Sequence, residues 1–314
     1  MLAYITRRLI QTVLVLVFVS LIVFSLMHII PGDPVLIMLG DLATPAQIEA
    51  YRHELWLDRP LWAQYVHWAT NILQGDFGKS LFYQQSVISL IATRLPITFH
   101  LGIVALILST LVSIPAGIIS AVRRGGWLDS VITVSANLAM AVPIFWLGIL
   151  GIFMFSLRLG WLPVQGYTSP QDNLALNTRQ IIMPALCLAI VPLASLARQM
   201  RSSMLEVIRQ DYIRTARSKG LTERAVITGH ALKNAIIPVV TLLGIQLRNL
   251  VGGAVLVEQV FNIPGMGRLM VGGVFNKDYV VVQGTLMVVA IVVAIANLAV
   301  DISYGYFDPR IRYD

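Results

Sequence analysis

Residues 75 to 80 read Gly75-Asp-Phe-Gly-Lys-Ser80. A Gly-Lys-Ser ending belongs to loops whose backbone amides and lysine cradle nucleotide phosphates, but such a loop needs a further glycine five residues before Gly78. Leu73 occupies that position, so the string is not read as a nucleotide site. Histidines stand at 28, 53, 67, 100 and 230, with neither a His-Glu-x-x-His spacing nor a cysteine partner. Metal-assisted hydrolysis therefore has no ligand set to work with, and no Ser-His-Asp arrangement is supported. Cys187, the only cysteine, lies in an apolar stretch, which excludes an internal disulfide and leaves a packed or lipid-facing thiol.

The polar residues that stand out interrupt apolar runs. Arg248 and Asn249 are followed by Gly252-Gly253 within one such run. A guanidinium in hydrocarbon costs a few kcal/mol on insertion scales. Arg248 is thus expected to line a translocation route, to hold a structural ion pair or carbonyl contact, or to reach the interface if the run is shifted. Asn137, Gln283 and Asn297 are isolated, and each fits an interhelical hydrogen bond better than a substrate ligand. Asn137 and Gln283 remain pathway candidates beside Arg248 and Asn249.

The most concentrated charge runs from Asp211-Tyr-Ile-Arg-Thr-Ala-Arg-Ser-Lys-Gly220. Leu205, Ile208, Tyr212 and Ala216 recur at helical spacing with arginines on other faces, and Gly220 supplies a stop. A second helix is marked by Thr222-Glu223 and continues through Ala225, Val226, Ile227 and Ala231. Two short amphipathic helices joined at a glycine make an elbow. Its apolar face can dock into a soluble partner, or the basic hairpin can grip anionic lipid.

These residues must be positioned by a membrane scaffold. Of the 314 residues, 57% are hydrophobic and 12% charged, about half the charged fraction of a soluble globular protein. Mean hydropathy is +0.76. Six apolar segments are placed at 9–30, 97–122, 131–155, 181–197, 236–257 and 280–300. Each approaches or exceeds the roughly 20 residues of a helical span, although the fourth is short. Backbone polar groups must be satisfied internally in lipid, and the alternating strands of a barrel are missing, so the expected class is an all-α polytopic protein. Pro115, Pro143, Pro184 and Pro192 should loosen their spans, and the fourth, with two prolines, is the best candidate for a bend.

If Arg7, Arg8, Arg123, Arg124, the basic residues of 198–233, Arg310 and Arg312 face the cytoplasm, that side holds 14 basic and 7 acidic residues against 9 of each outside. The imbalance puts both termini inside. The net charge of +7 then sits where anionic lipid attracts it, and no nucleic acid is needed to explain it. The first span is read as a retained anchor, since it is long and lacks a small-x-small cleavage site before Pro31-Gly-Asp-Pro34.

Residues 31–96 form an external insertion rich in tryptophan and tyrosine. Thr44 is expected to cap a helix that begins with Pro45. This segment reads as a small helical subdomain on the membrane surface, either a lid or a docking surface, its aromatics partly interfacial anchors. The division is therefore 1–30, 31–96, a core of 97–303 with a cytoplasmic coupling region of 201–235, and a tail of 304–314.

The whole chain resembles the B-type permease subunit of the dipeptide, oligopeptide, nickel and glutathione ABC importers. The likeness is carried by Arg7-Arg-Leu9, Ile30-Pro-Gly-Asp-Pro34, Gly75 to Ser80, Leu95-Pro-Ile-Thr98 and Asp211 to Gly220. It continues through His230-Ala-Leu-Lys-Asn-Ala235 with Pro238, Phe261-Asn-Ile-Pro-Gly-Met-Gly-Arg268, and Asp278-Tyr279. The general importer loop has Glu-Ala-Ala, then Gly, and a later Ile-x-Leu-Pro. Here only Ala216, Gly220 and Leu232 match, a departure that resembles the peptide-permease branch.

The resemblance implies a six-helix type I importer permease in a bacterial inner membrane, paired with a homologous second permease. Two cytoplasmic subunits would bind ATP and Mg, an extracytoplasmic solute-binding protein would deliver the solute, and this chain would bind no cofactor and catalyse nothing. Coupling to the ATPases falls on Asp211, Ala216, Arg217, Lys219, Gly220, Leu221, Glu223, Arg224, Val226 and His230. Pro264, Gly265, Gly267 and Asp278 form an external family motif. Peptides are the expected cargo, with nickel chelates or glutathione as the alternative. A secondary transporter is disfavoured because Asp129, Glu258 and Asp301 lie toward span ends.

Overall fold

The computed structural model describes residues 2–29, 34–39, 43–248 and 250–307. Asn249 and most of the Ile30-Pro-Gly-Asp-Pro34 motif lie outside the described residues, as does the tail from Asp308. In chain order the helices are α1 (Leu2–Ile29), α2 (Pro34–Leu39), α3 (Pro45–Glu54), α4 (Leu61–Leu73), α5 (Val87–Val122), α6 (Trp127–Ala141), α7 (Ile144–Gly151) and α8 (Leu174–Val207). They are followed by α9 (Asp211–Ser218), α10 (Glu223–Ala225), α11 (Leu232–Ala235), α12 (Ile237–Arg248), α13 (Leu250–Val260), α14 (Met266–Phe275) and α15 (Tyr279–Phe307). Wider π-helical turns extend α7 over Ile152–Arg158 and join α10 to α11 over Val226–Ala231.

Among the described residues, four helices are long and apolar enough to cross a bilayer: Ile5–Leu26, Val87–Val122, Leu174–Val207 and Tyr279–Ile302. Two bent pairs bring the possible number to six: Trp127–Ala141 with Ile144–Arg158, at 102°, and Glu223–Ala235 with Ile237–Leu247, at 50°. An all-α, multi-span architecture of four to six crossings is the result. The bends correct one sequence expectation. Pro184 and Pro192 sit inside α8, which runs unbroken for 34 residues, while the sharp break falls at Pro143. Pro143 is the N-cap of α7, where its missing donor leaves no helical bond unmade. α8 is instead flanked by α6, α7, α11, α12 and α13, whose packing holds its axis through the two lost donors.

The chain divides into two compact units, one of residues up to Thr98 together with those from Pro264, the other Phe99–Ile263. In the first, α15 packs along α1 and against α14. The Gln283 amide donates to the carbonyls of Val23 and Phe24, and Arg8 pairs with Asp301 at 3.1 Å. The expected cap of α3 is present as a reciprocal box between Thr44 and Gln47. A core of Val87, Leu90, Ile91, Met266, Leu269 and Val281 ties α5, α14 and α15 together.

In the second unit α8 is central. Met200 and Met204 on its last turns, with Leu196, enter a core completed by Ala121, Ile213, Ala216, Val226, Ala231, Ala235 and Val239. Gly117 permits α5 to approach this end of α8. A β-carbon there would lie 2.6 Å from Met200 Cβ and 2.7 Å from the Ala197 carbonyl oxygen.

Candidate coupling elbow and motif cluster

α8 ends at Val207, and a turn at Ile208 to Gln210 separates it from α9. This redirects the apolar face: Ile213 and Ala216 are buried, whereas Tyr212 is 41% exposed, contrary to the periodicity drawn through Leu205, Ile208, Tyr212 and Ala216. The helical register restarts at Asp211, so a spacing counted across the turn loses its meaning. The Tyr212 hydroxyl instead accepts from the Asn234 amide at 2.7 Å.

The glycine stop and the start of the second helix stand where the sequence puts them. Gly220 has φ +80°, a conformation in which a β-carbon strains the backbone. The Thr222 side chain accepts from the Ala225 amide. Across this turn Arg217 makes a two-pronged bond to Glu223, at 2.7 and 3.1 Å. The carboxylate beside it raises the guanidinium above its ordinary pKa. The pair is half in water and contributes about 0.2–1 kcal/mol, so its role is to set the angle between two short helices.

The residues assigned to coupling sort into two sets. Ala216 and Val226 are buried in the core that seats the elbow on α8. Asp211, Arg217, Lys219, Gly220, Leu221, Glu223, Arg224 and His230 are exposed. An open surface rich in charge, with Leu221 at its apex, is thereby mounted on a small-residue base.

Beneath the elbow lies a site that sequence reasoning passed over. Asp129, at the start of α6, accepts from Arg201 Nε at 2.7 Å and from its Nη2 at 2.8 Å. It also accepts from the Ser120 hydroxyl and the Gly125 amide. Arg201 shares its turn of α8 with Met200, so one helix end meets the elbow core and, through this pair, the α5–α6 turn. Opposite charges at membrane ends were visible in the chain, but their spacing of 72 residues carried no sign of contact.

The first unit gathers the residues expected to form an external motif. The buried Asp278 carboxylate, 2% exposed, accepts from the Ser80 hydroxyl, the Phe82 amide and the Val281 amide that opens α15. The Ser80 oxygen in turn accepts from the Tyr83 amide. Thr98 in α5 accepts from the Met266 amide at 2.8 Å, capping α14 where Gly265 offers no side chain. Gly265 and Gly267 are buried beside Met266, and Pro264 is half-buried. Stretches distant in sequence are thus tied by two sets of hydrogen bonds, Ser80 and Phe82 to Asp278 and Met266 to Thr98, into a knot around a shared apolar core. Ser80 is bonded to a carboxylate, and the helix that follows it starts only at Val87, which leaves Gly75 to Ser80 without the geometry of a phosphate cradle.

The pathway candidates fall in both units. Gln283 is buried with its amide committed to α1, and Asn137 is exposed on α6 in the other unit. Arg248 closes α12, its side chain lying outside the described residues together with Asn249.

The fold resembles a crystal structure of an amino acid ABC transporter with histidines, at a TM-score of 0.51 and 14% identity over 70% of this chain and 94% of that one. Relatives along the full length are closer. A probable peptide ABC transporter permease of Sinorhizobium fredii is 41% identical, covering 99% of both chains. The oligopeptide transport permease AppB of Bacillus subtilis is 39% identical over 100% of both. The di/tripeptide transport permease DppB of Pseudomonas aeruginosa is 38% identical over 100% of this chain and 99% of its own. Residues 1–102 match the N-terminal region of binding-protein-dependent transport membrane components, and residues 113–313 match the family described as binding-protein-dependent transport system inner membrane component. The chain therefore belongs to this family of multi-pass inner-membrane ABC transporter permeases.

Proposed function

We propose that the chain is the peptide-translocating half of an ATP-driven importer, working with a homologous second permease, two cytoplasmic ATP-binding subunits and an extracytoplasmic solute-binding protein. ATP and Mg reside on the cytoplasmic subunits, and this chain performs no catalytic step. The observation that carries the reading is full-length similarity to peptide permeases combined with an elbow that exposes eight of the ten residues the resemblance assigns to ATPase docking.

In this reading six spans place both termini in the cytoplasm. Residues 1–30 are the anchor, 31–96 the external insertion, 97–303 the permease core with coupling region 201–235, and 304–314 the tail. Closure of the ATPases displaces Arg217 to Val226, and the elbow passes the displacement to α8 through Met200 and Met204. The external motif keeps α14 and α15 in register near the mouth, where solute arrives. Asn137, Arg248 and Asn249 are the pathway candidates, while Gln283 serves helix packing.

The test is reconstitution of the complete complex in nanodiscs and measurement of ATP hydrolysis with each loaded binding protein. Stimulation by short peptides is the expected result. Stimulation by nickel chelates or glutathione, with peptides inert, would overturn the choice of cargo.

A further inference from the structure

Helix α4 wears its amphipathic pattern inside out. Its 13 residues contain no Asp, Glu, Lys or Arg, and its polar residues Gln64, His67 and Asn71 recur at i, i+3 and i+7. That polar stripe lines a cavity of about 510 Å³ inside the first unit. The opposite face carries Trp62, Val66 and Leu73, and Trp62 is 72% and Leu73 86% exposed. A helix in water would turn these stripes the other way.

Its depth is fixed by α1. The Tyr65 hydroxyl hydrogen-bonds Ser20 at 2.8 Å, Gln64 bonds His28 at 3.0 Å, and Phe24 packs against both Tyr65 and Trp68. Ser20 lies six residues inside the apolar limit at Leu26, about 9 Å along a helix axis. α4 consequently runs beside the last apolar turns of α1, whose own outward residues, such as Ile22, are exposed. At about 20 Å it is too short to span a 30 Å hydrocarbon layer.

We propose that α4 is embedded in the outer leaflet, its Trp62, Val66 and Leu73 face in contact with phospholipid acyl chains and its polar stripe turned to a wet cavity on the protein side. Continuity with the lipid face of α1 selects acyl chains as the occupant. Trp62 near the start of the helix sits where indole rings favour the headgroup boundary. The inference rests on the external placement of residues 31–96 and is independent of the cargo.

The experiment uses the assembled complex in phospholipid nanodiscs, with C187A as background and single spin labels at V66C and L73C. I22C on α1 serves as the lipid control and E49C on α3 as the water control. Collision with oxygen should exceed collision with a water-soluble nickel chelate at positions 66 and 73, by a ratio within twofold of I22C and at least fivefold above E49C. Chelate access equal to E49C would overturn the proposal. Protection appearing only when the binding protein is added would also overturn it and make this face a protein dock. If I22C itself behaves as water-exposed, the topology has failed rather than the placement of α4. Because labels can disturb folding, quenching of native Trp fluorescence by brominated acyl chains provides a second reading. W62F should remove a measurable share of that quenching, and an unchanged quenching curve would count against the embedding.

Discussion

The motif knot around Asp278 and the elbow around Gly220 use their motif strings in opposite ways. In the knot, the motif residues are interior and bonded across the chain: Ser80 to Asp278, and Thr98 to Met266. In the elbow, the interior is left to small or aliphatic residues, and the charged motif residues stand outside. A signature string therefore has two physical origins. One satisfies buried polar groups within the fold, and the other leaves charged side chains on an open surface.

That contrast yields a graded series of tests. Asp129→Ala leaves the part-buried Arg201 guanidinium without its carboxylate and should lower stability by roughly 2–3 kcal/mol, read as loss of folded chain in detergent-phase thermal unfolding. The apolar pair D129L/R201M should restore melting while leaving substrate-stimulated ATP hydrolysis impaired. Recovery of both would reduce the ion pair to a packing device. Thr98→Val removes the cap of α14 and should cost about 2 kcal/mol with no change in ATPase binding. Loss of ATPase binding at unchanged melting would break the division between knot and elbow. Leu221→Asp should leave melting within about 0.5 kcal/mol of the parent, yet weaken ATPase association by about tenfold, measured by copurification and titration. Arg217→Ala should shift stability by at most about 1 kcal/mol and reduce peptide-stimulated turnover more than basal turnover.

Legibility in the sequence followed the range of the physics involved. Caps and stops act within a few residues, so Thr44, Thr222 and Gly220 were readable in advance. Apolar length revealed α1, α5 and α15, whereas α8, whose apolar run of 181–197 was read as short, continues as a helix over Leu174–Val207. Proline alone did not locate the bend, because packing around α8 decides whether Pro184 and Pro192 are tolerated, and Pro143 gained its break by falling at a helix start. The buried face of α9 was misassigned through Tyr212, since the turn before Asp211 resets the register. Long-range pairings such as Arg201 with Asp129 and Ser80 with Asp278 left no local trace. The knot's strings were recognised as a family signature, but the bonds joining them became apparent only in three dimensions.

The Tyr212–Asn234 bond closes the elbow on itself within the isolated chain. A recognition surface that is already shaped loses little conformational freedom when its partner arrives. Assembly with the motor subunits should accordingly be a rapid rigid docking. Substitution of Tyr212 by Phe would slow the encounter step while leaving the finished contacts largely intact.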